Sequence, residues 1–175
     1  MKNIKQIKLI ILDNDGVFTD GRITYDNNRV ESKSFAAQDG LGIRLLSFTD
    51  IEIAVITGRE SEILKQRCND LGIKYLVQKV KNKEKAAQQI LNLLGLNWEN
   101  LAVMGDDWND YPMLKKAALS AVPQNAFEDL KAKVDYVAKR KGGEGAVREF
   151  IELILKEQDK YEETLQKLLN HFANS

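Results

Sequence analysis

Three clusters in this chain carry the residue types that phosphate and metal chemistry need. The first, LDNDGVFTDG at 12–21, sets Asp13 and Asp15 two positions apart directly after an apolar run. In extended backbone that spacing aims both carboxylates the same way, and converging carboxylates repel unless a cation or a shared proton relieves them. The pair is therefore a metal site, a nucleophile with its helper, or an acidic turn, since Asp-Gly favours tight turns. An EF-hand loop is excluded. Counted from Asp13, its turn glycine would fall on Phe18 and its bidentate glutamate on Thr24. The second cluster, GDDWND at 105–110, supplies Asp106, Asp107 and Asp110. Hard oxygen ligands of this kind suit Mg²⁺ better than zinc, yet the same acids suit a helix N-terminus with Asp110 as its cap. The third, TGRES at 57–61, offers Thr57, Gly58 and Arg59 just before a helix that Ser61 would cap. It reads as an anion cradle or as an ordinary capped loop. Lys83, which opens KEKAAQQI, is by default a solvated charge.

Together these parts describe phosphoryl transfer, with carboxylates and a divalent cation on one side and Thr, Arg and Lys donors around an anion. No GxxxxGK[ST] occurs, so this is not a P-loop nucleotide site. The single histidine, His171, and the lack of GxSxG disfavour a serine–histidine hydrolase. A carboxylate nucleophile is the economical choice.

The elements that must position these residues alternate between short apolar runs and longer helical patterns, the signature of a parallel sheet covered on both faces. Strands are predicted at Ile7–Asp13, Ile51–Thr57, Ile73–Gln78, Leu101–Gly105, Leu119–Val122 and Val134–Ala138. Helices are predicted at Gly40–Phe48, Ser61–Leu71, Lys83–Leu94, Asp110–Ala117, Ala126–Lys131 and Gly145–Lys156, with Asp39 and Ser61 as N-caps and Gly72 and Gly95 as stops. The three clusters then fall at the carboxyl ends of the first, second and fourth strands, where an open parallel sheet binds its ligands. GRITYDNNRVESKSF breaks the rhythm and reads as a hairpin turning at Asp26-Asn27-Asn28, projecting from that same edge. In the tail, Tyr161, Leu165, Leu168, Leu169 and Phe172 recur at helical spacing. That helix either packs on its own domain or docks on a neighbouring subunit.

With 175 residues the chain is long enough for one sizeable core, and 43% hydrophobic against 30% charged residues is ordinary for a globular protein. Twenty-six basic residues balance 26 acidic ones, so no net field calls for nucleic acid or anionic lipid. Cys68 is the lone cysteine and lies in a helical pattern, a structural residue in a reducing compartment. The run IKLIIL is too short for a signal core, and no stretch approaches the roughly 20 apolar residues of a membrane span. The expectation is a cytoplasmic protein that engages neither nucleic acid nor membrane.

DNDGVFTDG, TGR, a helix-opening lysine and GDDWND, in that order, resemble the four motifs of the haloacid dehalogenase superfamily of phosphatases. DGVFTDG, QDGLGIRLL, ITGRES, LGIKYL, GDDWNDYPML and GGEGAVREF resemble its small capless phosphatases of eight- and nine-carbon sugar acids, across about residues 7 to 155. The resemblance implies an α/β, Rossmann-like three-layer parallel sheet with a protruding β-hairpin after the first strand and no cap domain. It implies a phosphatase domain over 1–156, with 157–175 as an appended amphipathic helix. By the same resemblance Asp13 is the nucleophile and Asp15 the acid–base partner. Asp13, the carbonyl of Asp15 and Asp106 bind Mg²⁺, supported by Asp107 and Asp110. Thr57 and Lys83 hold the phosphoryl oxygens, and Gly58, Arg59 and Ser61 lie toward the sugar. Arg148 contacts substrate across a subunit boundary in a homotetramer built by the hairpins. The implied substrate is a phosphorylated sugar acid, 3-deoxy-D-manno-octulosonate 8-phosphate first and a nine-carbon 9-phosphate second. A non-catalytic domain accompanying a sugar-acid cytidylyltransferase is the reading of another class. Two positions depart from the family pattern: Asn14 stands where an apolar residue is usual, and Gln38 where arginine is common. In strand geometry Asn14 points away from the metal, so it should alter packing rather than chemistry.

Overall fold

The computed structural model describes residues 4–174. Six parallel strands form the central sheet: β1 Leu9–Leu12, β4 Glu52–Ile56, β5 Tyr75–Val77, β6 Leu101–Met104, β7 Leu119–Val122 and β8 Tyr136–Val137, in the order β5-β4-β1-β6-β7-β8. They match the predicted runs with frayed ends trimmed. The remaining pair, β2 Thr24–Tyr25 and β3 Glu31–Ser32, is antiparallel and makes the hairpin after β1. At its tip Asp26 Oδ1 accepts the N–H groups of Asn28 and Val30, both at 2.8 Å, an Asx turn that closes the loop.

Every residue of β1 is fully buried because helices cover both faces of the sheet. Side chains alternate along a strand, so Ile10 and Leu12 enter one core while Leu9 and Ile11 enter the other. The first core is closed by α1 Ala37–Leu46, α2 Glu62–Asp70, α6 Ala146–Glu157 and α7 Tyr161–Ala173, through Ile43, Leu64, Phe150 and Leu168 among others. The second is closed by α3 Lys83–Leu94, α4 Tyr111–Lys116 and α5 Glu128–Lys131, through Leu91, Met113 and Leu130. Cys68 sits in the first core, and burial pushes its thiol up to about 11, which fits an inert structural residue.

Ser61 caps α2 as predicted, accepting from Leu64 N at 3.4 Å, and Gly95 ends α3 at φ +67. Asp39 corrects its prediction. It lies inside the first turn of α1, fully buried, and its carboxylate accepts the N–H groups of Gly145 (3.3 Å) and Arg148 (2.9 Å). It therefore caps α6 from across the core, supplying acceptors that the start of α6 lacks locally. Burial raises the Asp39 carboxyl above its ordinary value, against the pull of these backbone donors. Asp39→Ala strands those N–H groups and should cost about 2–3 kcal/mol in urea melts, whereas Asp39→Asn, which keeps one acceptor, should cost less than half as much.

The tail folds onto its own domain. Leu168 and Thr164 are buried, Leu165 is half-buried, and Lys156 lies 4.5 Å from the Tyr161 ring centre. Leu169 and Phe172 remain exposed, so the stripe is narrower than its spacing implies.

Candidate active site

Strand register brings the three clusters together. Leu12 of β1 lies opposite Val55 of β4 and Met104 of β6, so the residues that follow share one edge. The ladder runs on past the strand ends: Asp13 N donates to Met104 O, Thr57 N to Val77 O and Gly105 N to Ala121 O. These bonds fix the backbone just where functional side chains begin. The strand order reverses between β1 and β6, which makes this edge the crevice where such sheets take ligands.

After Leu12 the chain swings through a broad turn over Asn14–Phe18, with Gly16 at φ +90. A side chain at Gly16 would meet the Asp106 carboxylate at 2.1 Å, so glycine is what lets the two acidic loops close on each other. The glycine-rich loop packs behind them. A Cβ on Gly142 would sit 1.8 Å from the Gly16 carbonyl, and Gly143 N donates to Val17 O.

A cleft of about 320 Å³ opens here, lined by Asp13, Asp15, Arg59, Lys83, Asp106 and Asp107, with Gly21 and Asn109 at its rim. Lys83 is at its centre. Its ammonium is 2.7 Å from both Asp13 Oδ1 and Asp110 Oδ1, and the residue is only 4% exposed, so a solvated role is ruled out. Burial alone would lower this ammonium, but Asp13 and Asp110 outweigh it and hold it above its ordinary value. Oxygens of Asp13, Asp106 and Asp110 lie within 4.8 Å of one another. Burial, then the neighbouring Asp110 charge, pushes Asp13 up to about 8 and Asp106 up to about 7. Three carboxylates thus face one lysine. The deficit of positive charge, with oxygen as the only donor type, fits a hard divalent cation.

Asp110 precedes α4 but does not cap it, contrary to the alternative read from sequence. Its Oδ2 accepts Asp106 N at 3.0 Å and its Oδ1 takes Lys83, so it shapes the loop that presents Asp106. Thr57 is buried at the end of β4, where its hydroxyl accepts Arg59 N at 3.3 Å. Ser61 is spent on capping α2 and stays out of the cleft, and Gly58 is exposed beside it. Arg59 borders the cleft while donating to Tyr25 OH (2.7 Å) and Glu31 Oε1 (3.0 Å) of the hairpin. Arg148 lies elsewhere: it pairs with Glu152 at 2.8 Å and borders a separate groove of about 580 Å³ that also contains Gln38. Within one chain neither Arg148 nor Gln38 joins the acidic cleft.

Two contacts escaped sequence reading. Asn14 Nδ2 donates to Asp15 Oδ1 at 2.8 Å, which corrects the expectation that Asn14 affects packing alone. Lys33, from the hairpin, reaches the same oxygen at 2.6 Å. Its only sequence signal was a basic residue ending a hairpin that departs from the acidic loop.

A parallel sheet with an acidic cleft around a buried lysine at its switch point, and no further domain inserted among the described residues, defines a capless Rossmann-like domain equipped for phosphate and metal chemistry. The family model for haloacid dehalogenase-like hydrolases matches residues 73–151. The chain is 43% identical to the 3-deoxy-D-manno-octulosonate 8-phosphate phosphatase KdsC of Escherichia coli, over 93% of this chain and 87% of that protein. The crystal structure of the phosphatase of that name from Yersinia pestis matches with a TM-score of 0.89 at 42% identity, covering 91% of this chain and 86% of the other. That from Moraxella catarrhalis, in complex with magnesium, phosphate and KDO, matches with a TM-score of 0.91 at 36% identity, covering 95% of each chain. The chain belongs to the haloacid dehalogenase-like hydrolases, in the family of 3-deoxy-D-manno-octulosonate 8-phosphate phosphatases.

Proposed function

We propose that this protein is a Mg²⁺-dependent phosphatase that hydrolyses 3-deoxy-D-manno-octulosonate 8-phosphate to the free sugar acid and phosphate. The observation that carries the reading is the match along 95% of both chains to the M. catarrhalis phosphatase with its bound magnesium, phosphate and KDO. The acidic cleft supports it by gathering in one place a candidate nucleophile, a candidate acid–base group and carboxylates that suit a divalent cation.

Asp13 is the nucleophile. One of its oxygens is held by Lys83, which leaves the other to attack phosphorus. As the Asp13 O–P bond forms, the P–O bond to the sugar breaks and Asp15 gives its proton to the departing oxygen. Asp15 then takes a proton from water, whose oxygen attacks phosphorus, and the Asp13 O–P bond breaks to release phosphate. Lys83 and Thr57 hold the phosphoryl oxygens, where a loose transition state needs placed positive charge. Asp13, the Asp15 carbonyl and Asp106 would hold Mg²⁺, which neutralises charge on the phosphoryl group. Asp110, with both oxygens engaged, and Asp107 support them. Arg59 forms the sugar-facing rim with Gly58 exposed beside it, while Ser61 holds the start of α2 behind them.

We assign the phosphatase domain to 1–156 and treat 157–175 as an appended segment that carries α7. The exposed Ile23, Tyr25 and Val30 on the hairpin support assembly into a homotetramer, in which Arg148 reaches a neighbouring substrate. No helix among the described residues is long and apolar enough to cross a membrane. We place the enzyme in the cytoplasm, supplying sugar acid for lipopolysaccharide synthesis.

Excess EDTA should abolish turnover and added Mg²⁺ restore it; turnover that persists in EDTA would remove the metal from the account. Because burial and the Asp110 charge push Asp13 up to about 8 and Asp106 up to about 7, a cation must displace their protons. Mg²⁺ affinity should therefore rise from pH 6 to about 8 and level off above, with proton release seen in calorimetry across buffers of different ionisation heat.

A further inference from the structure

Asp15 is held by more than its role as a proton carrier requires. Its Oδ1 accepts two donors, Lys33 Nζ at 2.6 Å and Asn14 Nδ2 at 2.8 Å. Its Oδ2 lies 3.8 Å from Arg59 Nε, beyond hydrogen-bonding distance. The two donors come from different elements, Asn14 from the turn after β1 and Lys33 from just beyond β3. Both are secluded: the Lys33 side chain and Asn14 are each 1% exposed. The orientation of the Asn14 amide follows from charge, since the flipped form would set its oxygen against a carboxylate. That orientation leaves Asn14 Oδ1 buried without a hydrogen-bond partner, an unfavourable arrangement that the contact to Asp15 must offset. Packing alone gives no reason for a buried amide here. Lys33 is braced in turn by Glu31 Oε1 at 3.5 Å, and that oxygen also accepts from Arg59.

We infer that Asn14 and Lys33 are positioning residues for Asp15, filling Oδ1 from two sides so that Oδ2 is the oxygen that hands the proton to the leaving group. The inference rests on the acid–base role proposed for Asp15. With two N–H donors on Oδ1, the transferable proton rides on Oδ2, and it moves to the sugar oxygen as the P–O bond breaks. The hairpin thereby contributes to the chemistry of its own chain as well as offering an exposed face. Losing either donor lets the carboxyl rotate, so the proton is often on the wrong side of the cleft. The fold and the nucleophile would be untouched.

The test compares kcat/KM, which reports the step that forms the aspartyl-phosphate, on two substrates. The sugar-acid phosphate loses an alkoxide that needs a proton; p-nitrophenyl phosphate loses a stable phenolate that does not. Asn14→Leu and Lys33→Met should each lower kcat/KM on the sugar-acid phosphate by about 10- to 100-fold and on the aryl ester by less than about 3-fold. The same loss on both substrates, or no loss on either, would overturn the inference, because damage to the site as a whole does not sort leaving groups. If one variant fails to fold, the other reports on the same oxygen from a different element. Asp15→Asn separates the two levels. If it too lowers both substrates alike, the acid role of Asp15 is wrong and this inference falls with it. If it is selective while Asn14→Leu and Lys33→Met are not, only this inference falls.

Discussion

Replacing Asp13 by asparagine should lower kcat on the sugar-acid phosphate by at least about 10⁴-fold while the protein stays folded and, without metal, becomes more stable. The activity loss follows because the amide is nearly isosteric but cannot attack phosphorus. The gain in stability follows from the carboxylate's surroundings. Burial and Asp110 raise Asp13 from an ordinary value of 3.8 to about 8. A group raised on folding stabilises the native state fully below its unfolded value, and that contribution is gone once pH passes the folded value. The apo wild type should therefore lose stability as pH climbs from about 4 toward about 8, and Asp13→Asn should escape this loss. The difference in Tm between the two should widen with pH over that window and stay constant above it. Thermal melts in EDTA across the pH range read this directly. Equal Tm values at pH 5 and pH 8.5 would contradict the charge account even if turnover were lost.

Lys83→Met should do the opposite to stability and still destroy activity. It removes the one ammonium between Asp13 and Asp110 and leaves buried carboxylates facing each other. Breaking a buried pair on one side costs about 3–5 kcal/mol, on the order of 10 °C in Tm for a chain of this size. Turnover should fall at least about 100-fold, since the phosphoryl oxygens lose a fixed positive charge. The two changes are coupled. Asp13→Asn added to Lys83→Met should recover part of the lost stability, because the double variant has one fewer uncompensated charge. Strict additivity would mean that the two residues do not sense each other, against the 2.7 Å contact.

Much of the fold was readable because parallel strands buried on both faces are continuous apolar runs, as IKLIIL and IEIAVI are. The site was readable for a related reason: polar clusters at strand ends must share one edge of the sheet whatever the loops do. What escaped reading depends on contacts made over long separations or in irregular backbone. Asp39 looked like the cap of its own helix, yet its partners lie 106 and 109 residues away. Strand alternation would turn Asn14 away from the site, but alternation ends at Asp13. The turn over Asn14–Phe18 brings its amide back onto its neighbour Asp15. Lys33 meets Asp15 only because the hairpin folds over the cleft, and nothing local in ESKSF signals that. In the tail, the spacing of Leu169 and Phe172 is compatible with burial, but α7 packs against α1 and α6 with Thr164 and Leu168 buried and leaves those two exposed.

Reaction and substrate can be tested together. Phosphate release by the Mg²⁺-loaded enzyme should be followed on 3-deoxy-D-manno-octulosonate 8-phosphate, a nine-carbon keto-sugar acid 9-phosphate, and glucose 6-phosphate. The eight-carbon acid should show the highest kcat/KM, by at least about 10-fold over the nine-carbon acid and about 100-fold over the neutral sugar. No phosphate from any of the three, or a preference for either competitor, would overturn the assignment of this enzyme to the eight-carbon acid.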